Sequence, residues 1–191
     1  MAVAPGATRG RRDAGCGATR VLIVFGGLPG TGKTTLARPI AREKGATYLR
    51  LDTIEQALRS SGMLAGDVGP SGYGVAYALA EANLHQGQTV VADCVNPLAV
   101  TREAWRGVAA ATGSPIVEVE VVCSDPTEHR RRVETRATDV PGLIRPSWAS
   151  VQRHDYEPWA GPRLVLDTAG RGVADALAEL RARVDGGSAR R

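Results

Sequence analysis

A glycine-rich segment between an apolar run and a helix-like run constrains this chain more than any other feature. It reads Gly27-Leu28-Pro29-Gly30-Thr31-Gly32-Lys33-Thr34 and is followed by Thr35. The spacing Gly-x-x-x-x-Gly-Lys-Thr, after a strand and at the start of a helix, is the P-loop pattern. Its glycines let backbone N–H groups converge on phosphates, and the helix N-terminus adds a favourable dipole. The segment therefore predicts a nucleotide-phosphate site, with Lys33 at the β- and γ-phosphates and the Thr34 hydroxyl at Mg²⁺.

The segments around this loop alternate between strand-like and helix-like patterns. Apolar or β-branched runs predict strands at residues 21–25, 47–51, 89–92, 116–122 and 163–166. Apolar residues at helical spacing predict helices at residues 33–44, 53–60, 73–85, 97–111, 126–136 and 173–184. Residues 62–74 are rich in glycine and predict a mobile loop, and Pro and Gly breakers interrupt residues 138–162. This alternation predicts an α/β fold with a parallel sheet.

The distribution of charge argues against a nucleic-acid partner. The chain has 24 Lys and Arg against 20 Asp and Glu, a formal net charge of +4. Residues 1–20 contribute +3 and residues 185–191 contribute +1, so residues 21–184 sum to zero. A neutral body offers little attraction for a phosphate backbone. We expect one domain at 21–184, between a disordered leader (1–20) and a disordered tail (185–191).

Composition also bears on the compartment. No run approaches the roughly 18 apolar residues that a membrane span needs, and the first 20 residues lack the apolar centre of a secretory signal. The three cysteines are odd in number and lack metal-ligand spacing. We therefore expect a protein of the reducing cytoplasm with no membrane partner.

With these residues in place, the chain resembles the small P-loop kinases of metabolites and antibiotics, namely the chloramphenicol phosphotransferase-like, gluconate kinase-like and zeta-toxin-like proteins. The Asn-Lys-x-Asp motif of GTPases is absent, as is the Asp-Glu strand end of AAA+ motors. The resemblance spans about residues 21–184 and is strongest at the phosphate loop. It implies ATP binding and a three-layer P-loop NTPase fold, with five parallel strands in the adenylate-kinase-like order 2-3-1-4-5. It also implies a small mobile lid near the fourth crossover, with lid and acceptor residues at about 130–162.

Two carboxylates follow the strands predicted to flank the phosphate loop. Ligands of open parallel sheets gather at the carboxyl ends of strands, where Asp52 and Asp93 stand. Asp52 matches the position at which the resembled kinases place the carboxylate that receives the acceptor hydroxyl, which implies a general base or hydroxyl orienter. A helix N-cap is the alternative. Asp93 takes a Walker-B-like place, where it is predicted to hold Mg²⁺ through water or to bind the acceptor. Asn96 is predicted to orient either ligand. The sequence leaves open which of the two aspartates is the general base.

Arginines and aromatic residues supply the remaining candidates. Arg132 and Arg136 stand four residues apart on one predicted helical face. They match the Arg-x-x-x-Arg of the lid in the resembled kinases, which implies that they clamp phosphates and stabilise the transition state. A solvated charged face is the alternative. Trp148 and Tyr156 predict an acceptor pocket or closing lid, unless they pin a long loop to the core.

These features favour an ATP- and Mg²⁺-dependent phosphotransferase that moves the γ-phosphate to a hydroxyl of a small molecule, such as a metabolite, a sugar-like compound or an antibiotic. A polynucleotide or nucleotide kinase is one alternative, because the same sheet serves both. A nucleotide-dependent regulatory or toxin-like protein is another. The sequence leaves open the acceptor, the choice between ATP and GTP, and the oligomeric state.

Overall fold

A computed structural model describes residues 20–63 and 66–188 of the chain, in which strands and helices alternate. The strands are β1 (Leu22–Gly26), β2 (Thr47–Arg50), β3 (Val90–Asp93), β4 (Ile116–Val122) and β5 (Leu164–Asp167). The helices are α1 (Lys33–Glu43), α2 (Leu51–Ser60), α3 (Ser71–His85), α4 (Ala99–Thr112), α5 (Pro126–Thr135), α6 (Trp148–Gln152) and α7 (Val173–Ser188). Within the described residues, none of these helices combines the length and the apolar character that crossing a membrane requires.

The five strands form one parallel sheet in the order β2-β3-β1-β4-β5. β1 lies at its centre, where Phe25 pairs with Asp93 of β3 on one side and with Val119 of β4 on the other. Every residue of β1 is buried, as its uninterrupted apolar run requires. The predicted parallel sheet and its order are confirmed. Because β1 is central, the loop that follows it lies in the middle of the carboxyl edge of the sheet.

Two apolar clusters cover the two faces of this sheet. On one face, Ile40 of α1 and Leu180 of α7 pack in a cluster with Ile23 of β1. On the other, Leu84 of α3 and Trp105 of α4 pack with the alternate residues of the same strand. All five side chains are 0–1% exposed, and burial of each stabilises the fold by about 1.5–3 kcal/mol. The sheet is thus the middle of three layers.

Asp52 lies in a helix and not at the end of a strand. β2 ends at Arg50 and α2 begins at Leu51, so Asp52 lies in the first helical turn and not at the predicted strand end. Arg50 takes the N-cap position without a side-chain capping bond, and the N-cap alternative for Asp52 is therefore wrong. Leu51 is buried in the cluster beneath α3 and α4, which brings the helix into contact with the core at its first residue.

Three other boundaries differ from the prediction. α3 begins at Ser71, inside the glycine-rich stretch 62–74 that was predicted to be a loop. α6 was not predicted, because five residues carry no clear periodicity; the Ser147 side chain caps its N-terminus. α7 continues to Ser188, so the first residues of the tail predicted at 185–191 are helical.

The predicted leader lies almost entirely outside the described residues, which begin at Arg20. Arg20 itself is anchored, because its guanidinium donates to Ser114 Oγ at 3.2 Å and to the Thr112 carbonyl at 3.0 Å. The last residue of the predicted leader therefore contacts the end of α4 and the residues that follow it. Residues 189–191 of the predicted tail also lie outside the described residues.

Candidate active site

The phosphate loop is wedged between β4 and α5. Gly27 and Gly30 adopt positive φ angles of 132° and 87°. A Cβ atom at Gly27 would lie 2.1 Å from the backbone oxygen of Val121, and one at Gly30 would lie 2.5 Å from the Val133 side chain. Glycine alone satisfies both the dihedral angle and the space. These two close approaches fix the loop against the carboxyl edge of the sheet.

Lys33 begins α1 and folds back over the loop. Its Nζ donates to the carbonyl oxygens of Gly27 at 2.6 Å and Leu28 at 2.9 Å. Burial lowers the pKa of Lys33, and the nearby carboxylates of Asp93 and Asp52 oppose that change. Two neutral carbonyls are weaker partners for an ammonium than a phosphate oxygen is. The ammonium is thus held at the mouth of the loop by contacts that an incoming phosphate can replace.

A hydrogen-bonded trio lies beside Lys33. Thr34 Oγ1 and Tyr48 OH both donate to Asp93 Oδ2, at 2.7 and 2.6 Å. Burial and the charge of Asp93 raise the pKa of Tyr48, so its phenol keeps the proton that it donates. A threonine hydroxyl beside a carboxylate is a suitable oxygen donor set for Mg²⁺, which proteins bind through one or two such groups together with waters and substrate phosphates. Thr34 and Asp93 therefore fit this ion.

Two cavities meet at the phosphate loop. The larger has a volume of about 630 Å³ and extends along α1 from the start of α7 to the end of β2 and the segment after α5. The smaller, of about 120 Å³, lies on the side of Asp52 and Asp93. Lys33, Thr34 and Arg136 line both cavities. A group bound between these three side chains would face both cavities.

The predicted loop residues divide into those that line a cavity and those that shape the loop. Besides the shared Lys33 and Thr34, the residues that line the larger cavity are Gly30, Gly32 and Thr35. Pro29 lines the smaller cavity. The residues that line neither are Gly27, Leu28 and Thr31, whose contacts are within the loop and with β4.

The two candidate aspartates differ in access. The Asp52 side chain is 38% exposed and lines the smaller cavity, and its charged partner is Arg50, with 3.4 Å between Asp52 Oδ2 and the guanidinium. Asp93 is 4% exposed and already accepts two hydrogen bonds. A substrate hydroxyl can therefore reach Asp52 more easily than Asp93.

The predicted arginine pair is split by the end of α5. The Arg132 guanidinium donates to Glu128 Oε1 at 2.7 Å and to the hydroxyl and carbonyl oxygens of Thr168 at 2.7 and 2.8 Å. α5 ends at Thr135, and Arg136 is its C-cap residue with extended backbone angles. Both arginines line the larger cavity, and Arg136 also lines the smaller. The Arg136 guanidinium makes no hydrogen bond or ion pair with another residue in the described part of the chain. Arg132 is thus held in place by Thr168 and Glu128, whereas the Arg136 guanidinium is free to bind a ligand in either cavity.

Three residues predicted to bind the acceptor lie outside both cavities. Trp148 packs edge-on against His129, with ring centroids 5.1 Å apart. Tyr156 OH accepts a hydrogen bond from Trp159 Nε1 at 2.7 Å. Asn96 is fully buried, with a φ of 53°. Trp148 thus packs on α5 and Tyr156 on a residue of its own segment, and their role at the acceptor stays a prediction.

Two residues that support the loop from outside were not predicted. Thr168, directly after β5, donates from Oγ1 to the Thr31 carbonyl at 2.8 Å. His129 of α5 donates from Nε2 to the Pro29 carbonyl, also at 2.8 Å. Asp167 ends β5, and a turn follows at Ala169 and Gly170. The sequence feature that could have indicated a role for Thr168 was its position at the carboxyl end of a strand.

A protein-family model described as "AAA domain" matches residues 22–145 of the 191, from β1 to the segment after α5. The Asp-Glu strand end of AAA+ motors is absent, since Cys94 follows Asp93. The chain is also 36% identical over 113 residues to the proteins Rv2004c of Mycobacterium tuberculosis and Mb2027c of Mycobacterium bovis. The match covers 53% of this chain and 23% of each relative, so the chain spans about a quarter of the length of these curated relatives.

Solved structures of two kinases and of the protein Kti12 have the same architecture. The APS kinase CysC of M. tuberculosis, in complex with AMPPNP and APS, has a TM-score of 0.63 and 21% identity, over 87% of this chain and 98% of that one. A gluconokinase of Sinorhizobium meliloti has a TM-score of 0.63 and 18% identity, over 87% and 95%. Kti12 of Chaetomium thermophilum, in complex with ADP-AlF3, has a TM-score of 0.63 and 20% identity, over 85% and 98%. The chain therefore belongs to the AAA domain family and has the fold of the small P-loop kinases.

Proposed function

We propose that this protein is an ATP- and Mg²⁺-dependent kinase that phosphorylates a hydroxyl group of a small molecule. The observation that carries the proposal is the meeting of the two cavities at Lys33, Thr34 and Arg136. A phosphoryl group at that point would face a nucleotide on one side and a carboxylate, Asp52, on the other. Phosphoryl transfer depends mainly on positioning and on electrostatic stabilisation, and this arrangement supplies both.

The larger cavity suits the nucleotide. Its volume of about 630 Å³ lies within the usual range for small-molecule sites. The loop amides and the α1 N-terminus favour bound phosphates, and the Lys33 ammonium adds a point charge. Thr34 and Asp93 would hold Mg²⁺, which neutralises charge on the β- and γ-phosphates when bound.

The smaller cavity suits the reacting end of the acceptor. Asp52 is its accessible carboxylate, and in the proposed reaction it orients the acceptor hydroxyl and accepts its proton. Arg136 stands between the two cavities and stabilises charge on the transferring group. Arg132, held by Thr168 and Glu128, adds positive charge on the nucleotide side.

Asp52→Asn should lower kcat for phosphorylation by about 100-fold or more, because the amide cannot accept the proton. The KM for ATP should change little, since Asp52 does not line the larger cavity. The measurement is ADP release with a panel of small hydroxyl compounds. Asp155→Asn is the matched control: it makes the same change of charge at an exposed position that lines neither cavity. Near-normal transfer by Asp52→Asn would remove Asp52 from the mechanism.

The same panel addresses the regulatory alternative. A wild-type chain that binds ATP but transfers phosphate to no compound would favour a nucleotide-dependent switch over a kinase. Phosphorylation of nucleosides or of oligonucleotide ends alone would favour the nucleotide or polynucleotide kinase.

Arg136→Gln should lower kcat by about 10²–10³-fold, because it removes the one guanidinium that lines both cavities. Nucleotide affinity should fall less, since Lys33 and the loop amides remain. Arg131→Gln is the control: its side chain is 66% exposed and has only a long 3.9 Å contact with Glu128. Steady-state kinetics of the two variants measure this difference. An equal loss of kcat in both would contradict a specific role for Arg136.

A further inference from the structure

The larger cavity carries more positive charge than the proposed phosphate site uses. Among the described residues, Asp139 is the one carboxylate that lines it, together with the cationic side chains of Lys33, Arg38, Arg50, Arg132, Arg136 and Arg171. Arg38 and Arg50 lie at the β2 end of this cavity, on α1 and at the end of β2, and neither belongs to the phosphate loop or to α5. Their charge therefore calls for a separate explanation.

Both guanidiniums converge on Asp139. Arg50 Nη1 lies 2.7 Å from Asp139 Oδ1, and Arg38 Nη2 contacts Oδ2 of the same carboxylate. Each carboxylate oxygen thus receives one guanidinium, the geometry in which arginines bind an oxyanion. The Arg50 side chain is 9% exposed, and its Nε has no hydrogen-bond partner among the described residues. One buried donor of Arg50 is therefore unpaired among these residues.

Asp139 is held by the charges of Arg38 and Arg50 and not by packing in the core. The Arg50 and Arg38 guanidiniums hold the pKa of Asp139 well below its ordinary range. Its side chain is 47% exposed, and it belongs to the stretch between α5 and α6, which has no regular secondary structure. A carboxylate on such a stretch can leave the two arginines without disturbing the sheet.

Arg50 connects this charge cluster to the smaller cavity. Its Nη1 contacts Asp139 in the larger cavity, while its Nη2 lies 3.4 Å from Oδ2 of Asp52, which lines the smaller one. A molecule whose hydroxyl faces Asp52 would thus have Arg50 within reach of its next polar group.

We propose that Arg38 and Arg50 form an anion subsite that binds a phosphate, sulfate or carboxylate group of the acceptor, and that Asp139 occupies this subsite until the acceptor replaces it. The assignment of the ligand as the acceptor rests on the proposed function. The subsite itself rests on the two guanidiniums and on the carboxylate that lies between them. The acceptor is accordingly an acidic molecule that carries a hydroxyl.

Binding of inorganic sulfate, measured by calorimetry at constant ionic strength, tests the subsite. AMPPNP and Mg²⁺ are kept saturating, so that the phosphate loop and Arg136 are already occupied. Asp139→Asn should bind sulfate about tenfold more tightly than the matched control Asp155→Asn, because it removes the competing like charge without changing the shape. Adding Arg38→Gln to Asp139→Asn should abolish this gain. Acetate in place of sulfate distinguishes a carboxylate preference, and Asp139→Ser replaces Asp139→Asn if that variant does not fold.

Equal sulfate affinity in Asp139→Asn and Asp155→Asn would overturn the subsite and leave Asp139 as a structural tether of the stretch between α5 and α6. A gain that survives Arg38→Gln would also overturn it. The readout requires no phosphoryl transfer, so a sulfate gain in a chain that phosphorylates nothing would keep the subsite and reject the kinase. Phosphoryl transfer to neutral acceptors, without a gain in sulfate affinity, would keep the kinase and reject the subsite.

Discussion

Lys33→Ala should lower the rate of phosphoryl transfer by about 10³-fold and weaken the binding of ADP and Mg²⁺ by at least about tenfold. The Lys33 ammonium lies at the point shared by both cavities, and its present partners are two neutral carbonyl oxygens. A positive charge placed where negative charge develops on the phosphate, in a site that excludes water, lowers the barrier by several kcal/mol. Calorimetry with ADP and kcat for the identified acceptor measure the two effects separately.

The chain supplies its own control for this substitution. Lys44 is the other lysine of the sequence. It lies at the C-terminal end of the same helix, where its Nζ pairs with Asp185 at 2.5 Å on the surface. Lys44→Ala removes the same charge and should leave nucleotide binding within about twofold, because an exposed pair contributes less than about 1 kcal/mol to stability and lies outside both cavities. Equal losses in the two variants would indicate a general effect of net charge.

Arg102→Leu should lower the free energy of unfolding by about 3–5 kcal/mol, a large share of the stability of a domain of this size. Arg102 is 2% exposed and binds the turn after β3 to the loop before β5. Its guanidinium donates to the backbone carbonyl oxygens of Asn96, Pro97, Glu157 and Pro158. Leucine would leave the carbonyls of Asn96, Glu157 and Pro158 without this donor, while the Pro97 carbonyl keeps the Glu157 N–H at 2.9 Å. The Asn96 carbonyl is buried, and a buried acceptor left unpaired costs about 1–3 kcal/mol.

Urea unfolding followed by circular dichroism measures this change. Arg42→Leu on the exposed side of α1 is the control, and it should alter the unfolding free energy by less than about 0.5 kcal/mol. A similar small change for Arg102→Leu would show that water replaces the guanidinium and that the loop before β5 does not depend on it.

Much of the fold was predictable because its signals are local. The apolar run before Gly26 and the glycines that follow specify a central buried strand and its phosphate loop, since each depends on neighbouring residues alone. The strand order 2-3-1-4-5 came from the family resemblance and is confirmed. Asp52 and Asp93 lie near the loop because both follow strands that end at the same edge of one parallel sheet.

Other features depended on contacts between distant parts of the chain. Arg38 and Arg50 are 101 and 89 residues from Asp139, and no local pattern links them. The same holds for Thr168, 137 residues from the Thr31 carbonyl that it binds. Such pairs are selected by the packing of whole elements, which the spacing of residues does not encode.

Trp148 and Tyr156 also show that a sequence pattern does not specify what a side chain will contact. Their clustering in a segment rich in Pro and Gly predicted an acceptor pocket, yet in the folded chain they pack on His129 and Trp159. An aromatic residue in a loop can cover a ligand or anchor the loop, and both uses leave the same trace in the sequence.

The phosphate loop was thus determined by the sequence alone, because a tight glycine turn between a strand and a helix is specified by adjacent residues. The tertiary structure alone decided what faces that loop: Asp52 at the smaller cavity, Arg136 between the two cavities, and Asp139 against Arg38 and Arg50. These contacts form only when the sheet brings its carboxyl edge, α1 and the end of α5 together, and they are the contacts that would select an acceptor.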